Sequence, residues 1–194
     1  MTEAVRDAPG MGIVRALRAC LPRDAMTVGD AQGWAGWSIY HFPIYGAGQL
    51  IYPIHFGTLG YAVPGAIGVQ AAFPERRVVA LCGDGGFMFC SNELATAAQH
   101  GLNVIVVVVN DGCLRQIRTR QERRYGPGRA CAADLQNPDF AAYARACRCW
   151  GRQVNTLEAF EPALVEALEA GRPALLEVTF PVPWTPHDYG ITDQ

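Results

Sequence analysis

The sequence has no hydrophobic run long enough to cross a membrane. Its longest apolar segment covers only residues 104–109, whereas a membrane-spanning helix needs about 20 apolar residues. A basic-then-apolar leader is also missing from the first residues. We therefore expect a protein with no membrane partner that is not secreted.

A strong excess of charge of either sign is also missing. The 194 residues carry a formal net charge of −2, and 18% of them are charged. This balance gives no reason to expect nucleic acid or an anionic membrane as a partner. Arginines do cluster between Arg115 and Arg129, but such a run is more often a solvated face than a binding site.

The cysteines lack the spacing of a disulfide or zinc framework. There are seven of them, and Cys147 and Cys149 are separated by a single residue, which is a poor fit to a zinc knuckle. We expect free or buried thiols in a reducing compartment, and hence a cytoplasmic protein.

Strand and helix patterns alternate along the chain without an internal repeat. After a loose tail over residues 1–10, we predict a single domain over residues 11–194, with a doubly wound, mostly parallel α/β sheet and helices on both faces. Ser91 is a plausible cap for one helix, and Asn137-Pro138 is predicted to cap and open another. The strand candidates are residues 26–28, 78–81, 104–109, 153–154 and 174–178, and the helix candidates are residues 13–21, 63–73, 91–100, 114 onward, 137–147 and 162–170.

Aromatic residues concentrate in one irregular stretch. Seven of the nineteen Phe, Trp and Tyr residues lie between Trp34 and Phe56. One interpretation is a loop folded over the core. The other is an interface or a substrate wall, since aromatic side chains are enriched at such surfaces.

Two glycine- and acid-containing turns follow two of the strand candidates. Residues Gly83-Asp84-Gly85-Gly86 come after the first, and Asn110-Asp111-Gly112-Cys113 after the second. Ligands of open α/β sheets bind beyond the carboxyl ends of the strands, and neighbouring strands would bring both aspartates together there. Paired carboxylates suit Mg²⁺, and glycine amides can approach an anion closely. These residues thus predict a site for a magnesium-bridged phosphate or diphosphate. Gly-Asp-Gly or Asn-Asp-Gly alone, however, is also a common turn.

These motifs resemble the fingerprint of thiamine-diphosphate enzymes. In that family a Gly-Asp-Gly is followed about two dozen residues later by Asn at the end of a hydrophobic strand, and here 24 residues separate Gly85 from Asn110. The glycine-rich residues 57–68 and the Glu-Leu-Ala-Thr-Ala of residues 93–97 are similar to segments of acetolactate synthases and benzoylformate decarboxylases. The resemblance covers residues 13–182 and implies thiamine diphosphate and Mg²⁺ as cofactors.

The resemblance also implies roles for individual residues. It assigns the metal to the side chains of Asp84 and Asp111 and to the backbone carbonyl of Cys113. Leu59 is expected to hold the cofactor in its bent conformation. The remaining cofactor-binding positions are Asp30 and Ala31 beside the diphosphate, Gly57 at the aminopyrimidine, Gly85 and Gly86 as amide donors, and the neighbouring Thr58, Gly83 and Leu114.

Three further residues have candidate roles near the substrate, and two of them have an alternative interpretation. Arg115 stands where relatives usually have a small residue, and it could pair with a substrate carboxylate or simply face solvent. Gln116 stands at a position that often faces substrate. His55 could shuttle protons near the thiazolium ring, although a lone histidine in an aromatic loop is more often structural.

The resemblance covers only the diphosphate-binding domain of such enzymes. Their pyrimidine-binding domain supplies a glutamate that activates the cofactor, and no residue of this chain matches it. We therefore predict one subunit of a split enzyme, which works with a pyrimidine-domain subunit on a 2-oxo acid. Carboligation of the acetolactate-synthase type is the leading expectation, and the alternatives are simple decarboxylation or a non-catalytic scaffold. An ordinary dinucleotide-binding domain is disfavoured because Gly83–Gly86 lacks the Gly-x-Gly-x-x-Gly spacing.

Overall fold

The computed structural model describes residues 3–30 and 34–183. The strands are β1 (Met26–Gly29), β2 (Leu50–Ile51), β3 (Val78–Gly83), β4 (Ile105–Val109), β5 (Trp150–Val154) and β6 (Ala174–Val178). The helices are α1 (Glu3–Arg6), α2 (Pro9–Cys20), α3 (Gly36–His41), α4 (Ala62–Ala72), α5 (Asp84–Met88), α6 (Glu93–Gln99), α7 (Arg115–Tyr125), α8 (Phe140–Ala146) and α9 (Phe160–Glu169).

The six strands form one parallel sheet in the order β2-β1-β3-β4-β6-β5. This arrangement confirms the predicted doubly wound α/β class. The central strands β3 and β4 are neighbours, and their register pairs Gly83 with Val109. Because the two strands end side by side, the turns that follow them open at the same edge of the sheet.

Helices cover both faces of the sheet because side chains of each strand alternate between two hydrophobic cores. In β3, Val79 and Leu81 pack into the first core with α2 and α9, whereas Val78 and Ala80 pack into the second core with α4, α6 and α8. The continuous apolar run of β4 is explained in the same way, since both of its faces are buried.

The N-terminal segment differs from the predicted loose tail over residues 1–10. From Glu3 it is largely helical, and α2 begins at Pro9 rather than near Ile13. Val5 and Ala8 are buried in the first core. In the sequence, Val5 and Ala8 stand among charged residues and give no clear helical pattern.

Both predicted helix caps are wrong. Helix α6 begins after Asn92 without a side-chain cap, so Ser91 does not serve as one. Helix α8 is capped by Asp139, whose carboxylate accepts a hydrogen bond from the amide of Ala142 at 2.6 Å. The side chain of Asn137 is instead directed into the candidate site.

The aromatic stretch is divided between core and surface. Trp34, Trp37 and Phe42 are buried, whereas Tyr40 and Phe56 are exposed. It also contains the short helix α3 and the two-residue strand β2, which extends the sheet at one edge.

None of the helices in residues 3–30 and 34–183 has the length and apolar character required to cross a membrane.

Candidate functional site

A cavity of about 210 Å³ lies beyond the carboxyl ends of β3 and β4. Asp84 and Asp111 both line it, as expected from their positions after two adjacent parallel strands. The predicted residues Asp30, Gly57, Leu59, Gly83, Gly85, Gly86, Cys113, Leu114, Arg115 and Gln116 line it as well, together with Trp34, Val109, Ile117 and Val182.

Asp84 is held in place from three sides. Its Oδ1 accepts a hydrogen bond from the amide of Gly85 at 2.7 Å, and its Oδ2 accepts from the amide of Cys113 at 3.2 Å and from Asn137 Nδ2 at 2.8 Å. The carboxyl is buried, and burial raises its pKa despite these hydrogen bonds, with the charge of Asp111 adding to the rise. Two carboxylates in one cavity repel each other, and a cation placed between them would relieve that repulsion.

The Gly85 amide has a different partner from the one that the resemblance implies. Because it donates to Asp84, a contact with the diphosphate requires the amide to be shared or the carboxylate to turn toward the metal. The amides of Gly85 and Gly86 do lie in the first turn of α5, where helix amides lack an intrahelical acceptor.

Asp111 forms an ion pair with Arg115, four residues further along the chain. Arg115 Nε lies 2.8 Å from Asp111 Oδ2, at the beginning of α7. Between Asp111 and Cys113, Gly112 has a φ of 64°, a left-handed conformation that glycine adopts without strain. This turn orients the Cys113 peptide, whose amide reaches Asp84.

A segment that the sequence analysis missed holds the second turn in place. The amide of Leu135 donates to the Gly112 carbonyl at 2.8 Å, and the amide of Leu114 donates to the Ala133 carbonyl at 2.7 Å. Asn137 at the end of this segment donates from Nδ2 to both Asp84 Oδ2 and Asn110 Oδ1, at 2.8 and 2.9 Å. The only sequence signal was Asn-Pro, which equally predicts a helix start.

A buried carboxylate continues this polar chain into the core. Asn110 Nδ2 donates to Glu177 Oε1 at 2.7 Å, and Glu177 Oε2 accepts from the amide of Ala141 at 3.1 Å. Glu177 lies in β6 and is only 1% exposed. The asparagine of the Asn-Asp motif therefore positions its neighbours through partly buried hydrogen bonds.

Asp30 connects the glycine-rich segment to the cavity edge. Its carboxylate accepts hydrogen bonds from the amides of Gly60, Tyr61 and Ala62, at 3.2, 2.8 and 2.7 Å. Burial raises the pKa of the Asp30 carboxyl, against the opposing effect of these three hydrogen bonds. Asp30 thus fixes the start of α4. The predicted cofactor-binding residue Ala31 lies outside the described residues.

Gly86 leaves no room for a side chain, whereas Gly83 borders open space. A Cβ at Gly86 would overlap the carboxylate of Asp30, and one at Gly85 would lie 2.6 Å from Leu114 Cδ2. A Cβ at Gly83 would have no atom within 4 Å. The glycines therefore allow close packing on one side and keep space beside the strand end on the other.

We expect the substitution Gly86→Ala to destabilise the fold by about 2–3 kcal/mol, because it forces the Asp30 carboxylate away from the amides of Gly60, Tyr61 and Ala62. The free energy of unfolding in urea measures this effect. Gly68→Ala is the matched control, because a Cβ at Gly68 in α4 meets no atom within 4 Å and should be neutral or stabilising by up to about 1 kcal/mol. Equal stability of the two variants would contradict the proposed contact.

The residues of the glycine-rich segment are divided between cavity and surface. Gly57 and Leu59 line the cavity. Thr58 and His55 are exposed and are not among the residues that line it. The proton-shuttle hypothesis for His55 remains a prediction.

The arrangement fits a magnesium-bridged diphosphate. Among the described residues, no group of three or more His, Cys, Asp or Glu side chains could hold a metal ion unaided. A site with two carboxylates and a backbone carbonyl leaves positions for phosphate oxygens and water, as Mg²⁺ sites commonly do. Trp34, Leu59 and Ile117 add apolar side chains to the lining of the cavity.

Comparison with known proteins identifies the family of this chain. The family described as "Thiamine pyrophosphate enzyme, C-terminal TPP binding domain" matches residues 27–178. The chain is 32% identical over 177 residues to the protein YdaP of Bacillus subtilis (strain 168), and covers 30% of it with 91% of its own length. It is 34% identical over 173 residues to the acetolactate synthase large subunit of Parasynechococcus marenigrum (strain WH8102), with 86% of this chain and 27% of that protein covered.

A solved structure shows the same fold. The thiamine diphosphate-dependent 4-hydroxybenzoylformate decarboxylase of Rhodococcus jostii RHA1 superposes with a TM-score of 0.80 at 29% identity, over 89% of this chain and 32% of that one. The chain belongs to the thiamine pyrophosphate enzymes and corresponds to their C-terminal cofactor-binding domain. The cofactors expected from the sequence, thiamine diphosphate and Mg²⁺, are those of this family. The chain spans about a third or less of the length of these relatives.

Proposed function

We propose that this chain binds the diphosphate and Mg²⁺ of thiamine diphosphate as one subunit of a split enzyme. The enzyme decarboxylates a 2-oxo acid and ligates the product to a second carbonyl. The observation that carries this proposal is the convergence of Asp84 and Asp111 at the ends of β3 and β4, in a cavity bordered by glycines.

The metal would be held by the Asp84 and Asp111 carboxylates and by the Cys113 carbonyl. That carbonyl accepts a hydrogen bond from the Arg115 amide at 2.7 Å, and its second lone pair remains for a cation. Asn137 keeps Asp84 oriented through its 2.8 Å hydrogen bond. Gly83, Gly85 and Gly86 would border the phosphate groups.

The other half of the cofactor would lie beside the apolar side chains of Trp34, Leu59 and Ile117, which all line the cavity. The Gly57 carbonyl would accept from the aminopyrimidine. When bound, thiamine diphosphate supplies the carbanion that attacks a 2-oxo acid and stabilises the product of carbon dioxide loss. Gln116 lines the cavity and is our proposed substrate-facing residue.

The surface around the cavity supports a partner at this position. Ile54 and Phe56 are 78% and 93% exposed, and Met88 and Phe89 are also exposed. Gly60 packs close to Phe89, since a Cβ there would lie 2.8 Å from Phe89 Cβ. We name Ile54, Phe56, Leu59, Met88 and Phe89 the apolar rim. Exposed apolar residues grouped beside a ligand cavity are typical of interaction sites, and we propose that a pyrimidine-domain subunit covers the rim and supplies the activating glutamate.

Simple decarboxylation is the alternative reaction, favoured by the likeness to a 4-hydroxybenzoylformate decarboxylase. In that case the intermediate is protonated instead of being added to a second carbonyl. A non-catalytic scaffold is a weaker alternative, because it would not need the two carboxylates and their ordered hydrogen bonds.

The first test is calorimetric titration of the purified chain with thiamine diphosphate, with and without Mg²⁺. We expect binding that depends on Mg²⁺ and tightens when a pyrimidine-domain protein from the same organism is added. Carbon dioxide release and carboligation products from a panel of 2-oxo acids then distinguish the two reactions. Absence of binding both alone and with that protein would reject the proposed site, and full activity of the chain alone would reject the split enzyme.

A further inference from the structure

The candidate site contains an ion pair between Asp111 and Arg115, next to the proposed metal position. Three carboxylates line the cavity, those of Asp30, Asp84 and Asp111, and Arg115 is the only basic side chain among the described residues that do so. The Asp30 carboxylate already accepts hydrogen bonds from the backbone amides of Gly60, Tyr61 and Ala62, at the start of α4. The electrostatics of the metal position therefore depend on Asp84, Asp111 and Arg115.

The geometry makes Arg115 a partner of the second carboxylate in particular. Its Nε donates to Asp111 Oδ2 at 2.8 Å, while the first carboxylate is held by Asn137 and two backbone amides. Burial lowers the pKa of Arg115, but the hydrogen bond and charge of Asp111 outweigh it, so that the net pKa is raised. The pair is partly exposed, with 23% of the Asp111 and 41% of the Arg115 side chain accessible.

This pairing leaves the other oxygen of the carboxylate for a metal ion. Asp111 Oδ1 has no protein donor in the described part of the chain, so a cation could bind there while the guanidinium stays on Oδ2. Arg115 and the metal would then bind to different oxygens of the same Asp111 carboxylate. At such short range the positive charge of Arg115 changes the binding free energy of any ion that enters the site.

The guanidinium affects the two parts of the ligand in opposite ways. The two carboxylates and the guanidinium sum to one negative charge, which is a weak attraction for Mg²⁺ alone, and the guanidinium repels the incoming cation. A diphosphate brings several negative charges, and the same guanidinium attracts them. The Arg115 side chain thus weakens the binding of Mg²⁺ alone and strengthens the binding of Mg²⁺ together with the diphosphate.

We propose that Arg115 is the built-in counter-ion of Asp111, which keeps the site from holding Mg²⁺ alone and couples metal binding to the diphosphate. This inference rests on the proposed function, since it assumes that the metal and the diphosphate bind here. It assigns Arg115 to cofactor assembly, in place of the substrate-carboxylate contact that its position also suggested.

The test is a thermodynamic cycle measured without substrate. Calorimetry gives the dissociation constant of Mg²⁺ in the absence and in the presence of saturating thiamine diphosphate. The intrinsic tryptophan fluorescence, to which Trp34 in the cavity lining contributes, gives a second signal. The ratio of the two constants is the coupling. The chains compared are the wild type, Arg115→Gln, Arg115→Lys, Asp111→Asn and the double variant Asp111→Asn/Arg115→Gln.

We expect Arg115→Gln to tighten binding of Mg²⁺ alone and to lower the coupling by about tenfold, within the usual range of coupling between sites. Asp111→Asn should weaken binding of Mg²⁺ alone and raise the coupling. The double variant restores the net charge of the site, so its coupling should return to within about threefold of wild type. Arg115→Lys keeps the charge and should also stay within about threefold.

The control is Arg120→Gln, which removes an exposed arginine from the same helix and should leave both constants unchanged. Thermal melting of each variant verifies that it is folded, as expected for partly exposed side chains. If Arg115→Gln weakens binding of Mg²⁺ alone, Arg115 orients Asp111 instead of compensating its charge, and the inference is overturned.

Two further outcomes separate this inference from the proposed function. If Arg115→Gln leaves both cofactor constants unchanged and raises only the KM for a 2-oxo acid, Arg115 is a substrate-binding residue and the counter-ion role is rejected. If the wild type binds neither Mg²⁺ nor thiamine diphosphate, with or without the partner, the proposed function itself fails.

Discussion

Replacing Asp84 with alanine is expected to abolish magnesium-dependent binding of thiamine diphosphate, weakening it by more than about 100-fold. Substitution of residues that merely support a metal ligand already costs about 10- to 100-fold, and Asp84 is proposed as a ligand itself. The substitution also releases Asn137 and the Cys113 amide, both of which donate to this carboxylate. Titration calorimetry with Mg²⁺ present measures the loss.

Two matched variants separate loss of the ligand from loss of structure. Asp84→Asn keeps the shape of the side chain but removes its charge, and it should lose most of the binding while the thermal midpoint changes little. Asp24→Ala removes an exposed carboxylate that is not among the residues that line the cavity, and it should bind like the wild type. Unchanged affinity in Asp84→Ala would place the metal elsewhere and reject the site.

Replacing Glu177 with alanine is expected to lower the free energy of unfolding by about 3–5 kcal/mol, because it combines a buried cavity with lost hydrogen bonds. Asn110 Nδ2 and the Ala141 amide would both lose their acceptor, and buried donors without partners are costly. Urea denaturation of the chain without cofactor measures this change.

The same substitution should also reach the cofactor site. Asn110 accepts from Asn137, which in turn holds Asp84, so we expect affinity for the magnesium–diphosphate pair to fall by about tenfold. Glu177→Gln keeps one acceptor and most of the volume and should cost less than half as much stability. Glu169→Ala at an exposed position serves as the control, and a Glu177→Ala chain as stable as this control would show that the buried network contributes nothing.

The parts of the fold that could be predicted from the sequence are those with strong periodicity. The apolar run of β4 and the alternation of strands and helices predicted a parallel sheet, and the Asp84 and Asp111 turns were correctly expected at one edge of it. The two-residue strand β2 was missed, since so short a segment at the sheet edge carries no period of its own. Residues 3–10 were missed because Val5 and Ala8 belong to the first core, and the local sequence pattern does not show that burial.

The site residues that escaped prediction act through other residues. Asn137 looked like a helix cap, but the actual cap is Asp139, two residues later. Glu177 lies within an apolar strand pattern, and nothing in the sequence relates it to Asn110, 67 residues earlier. Arg115 was expected to contact substrate or solvent, and its pairing with Asp111 depends on the direction in which α7 begins. The contacts of Asn137 and Glu177 are set by tertiary geometry, which local sequence patterns do not encode.

Under the proposed function, the apolar rim affects how long the chain persists in the cell without its partner. A chain released before its partner is available would be an orphan subunit, with Phe56 and Phe89 presented to solvent. Exposed side chains of this kind promote self-association, and chaperones and proteases continuously remove chains in such states. The steady-state amount of this subunit would therefore follow the supply of its partner. Coordinated synthesis of the two subunits would reduce degradation of the unpaired chain.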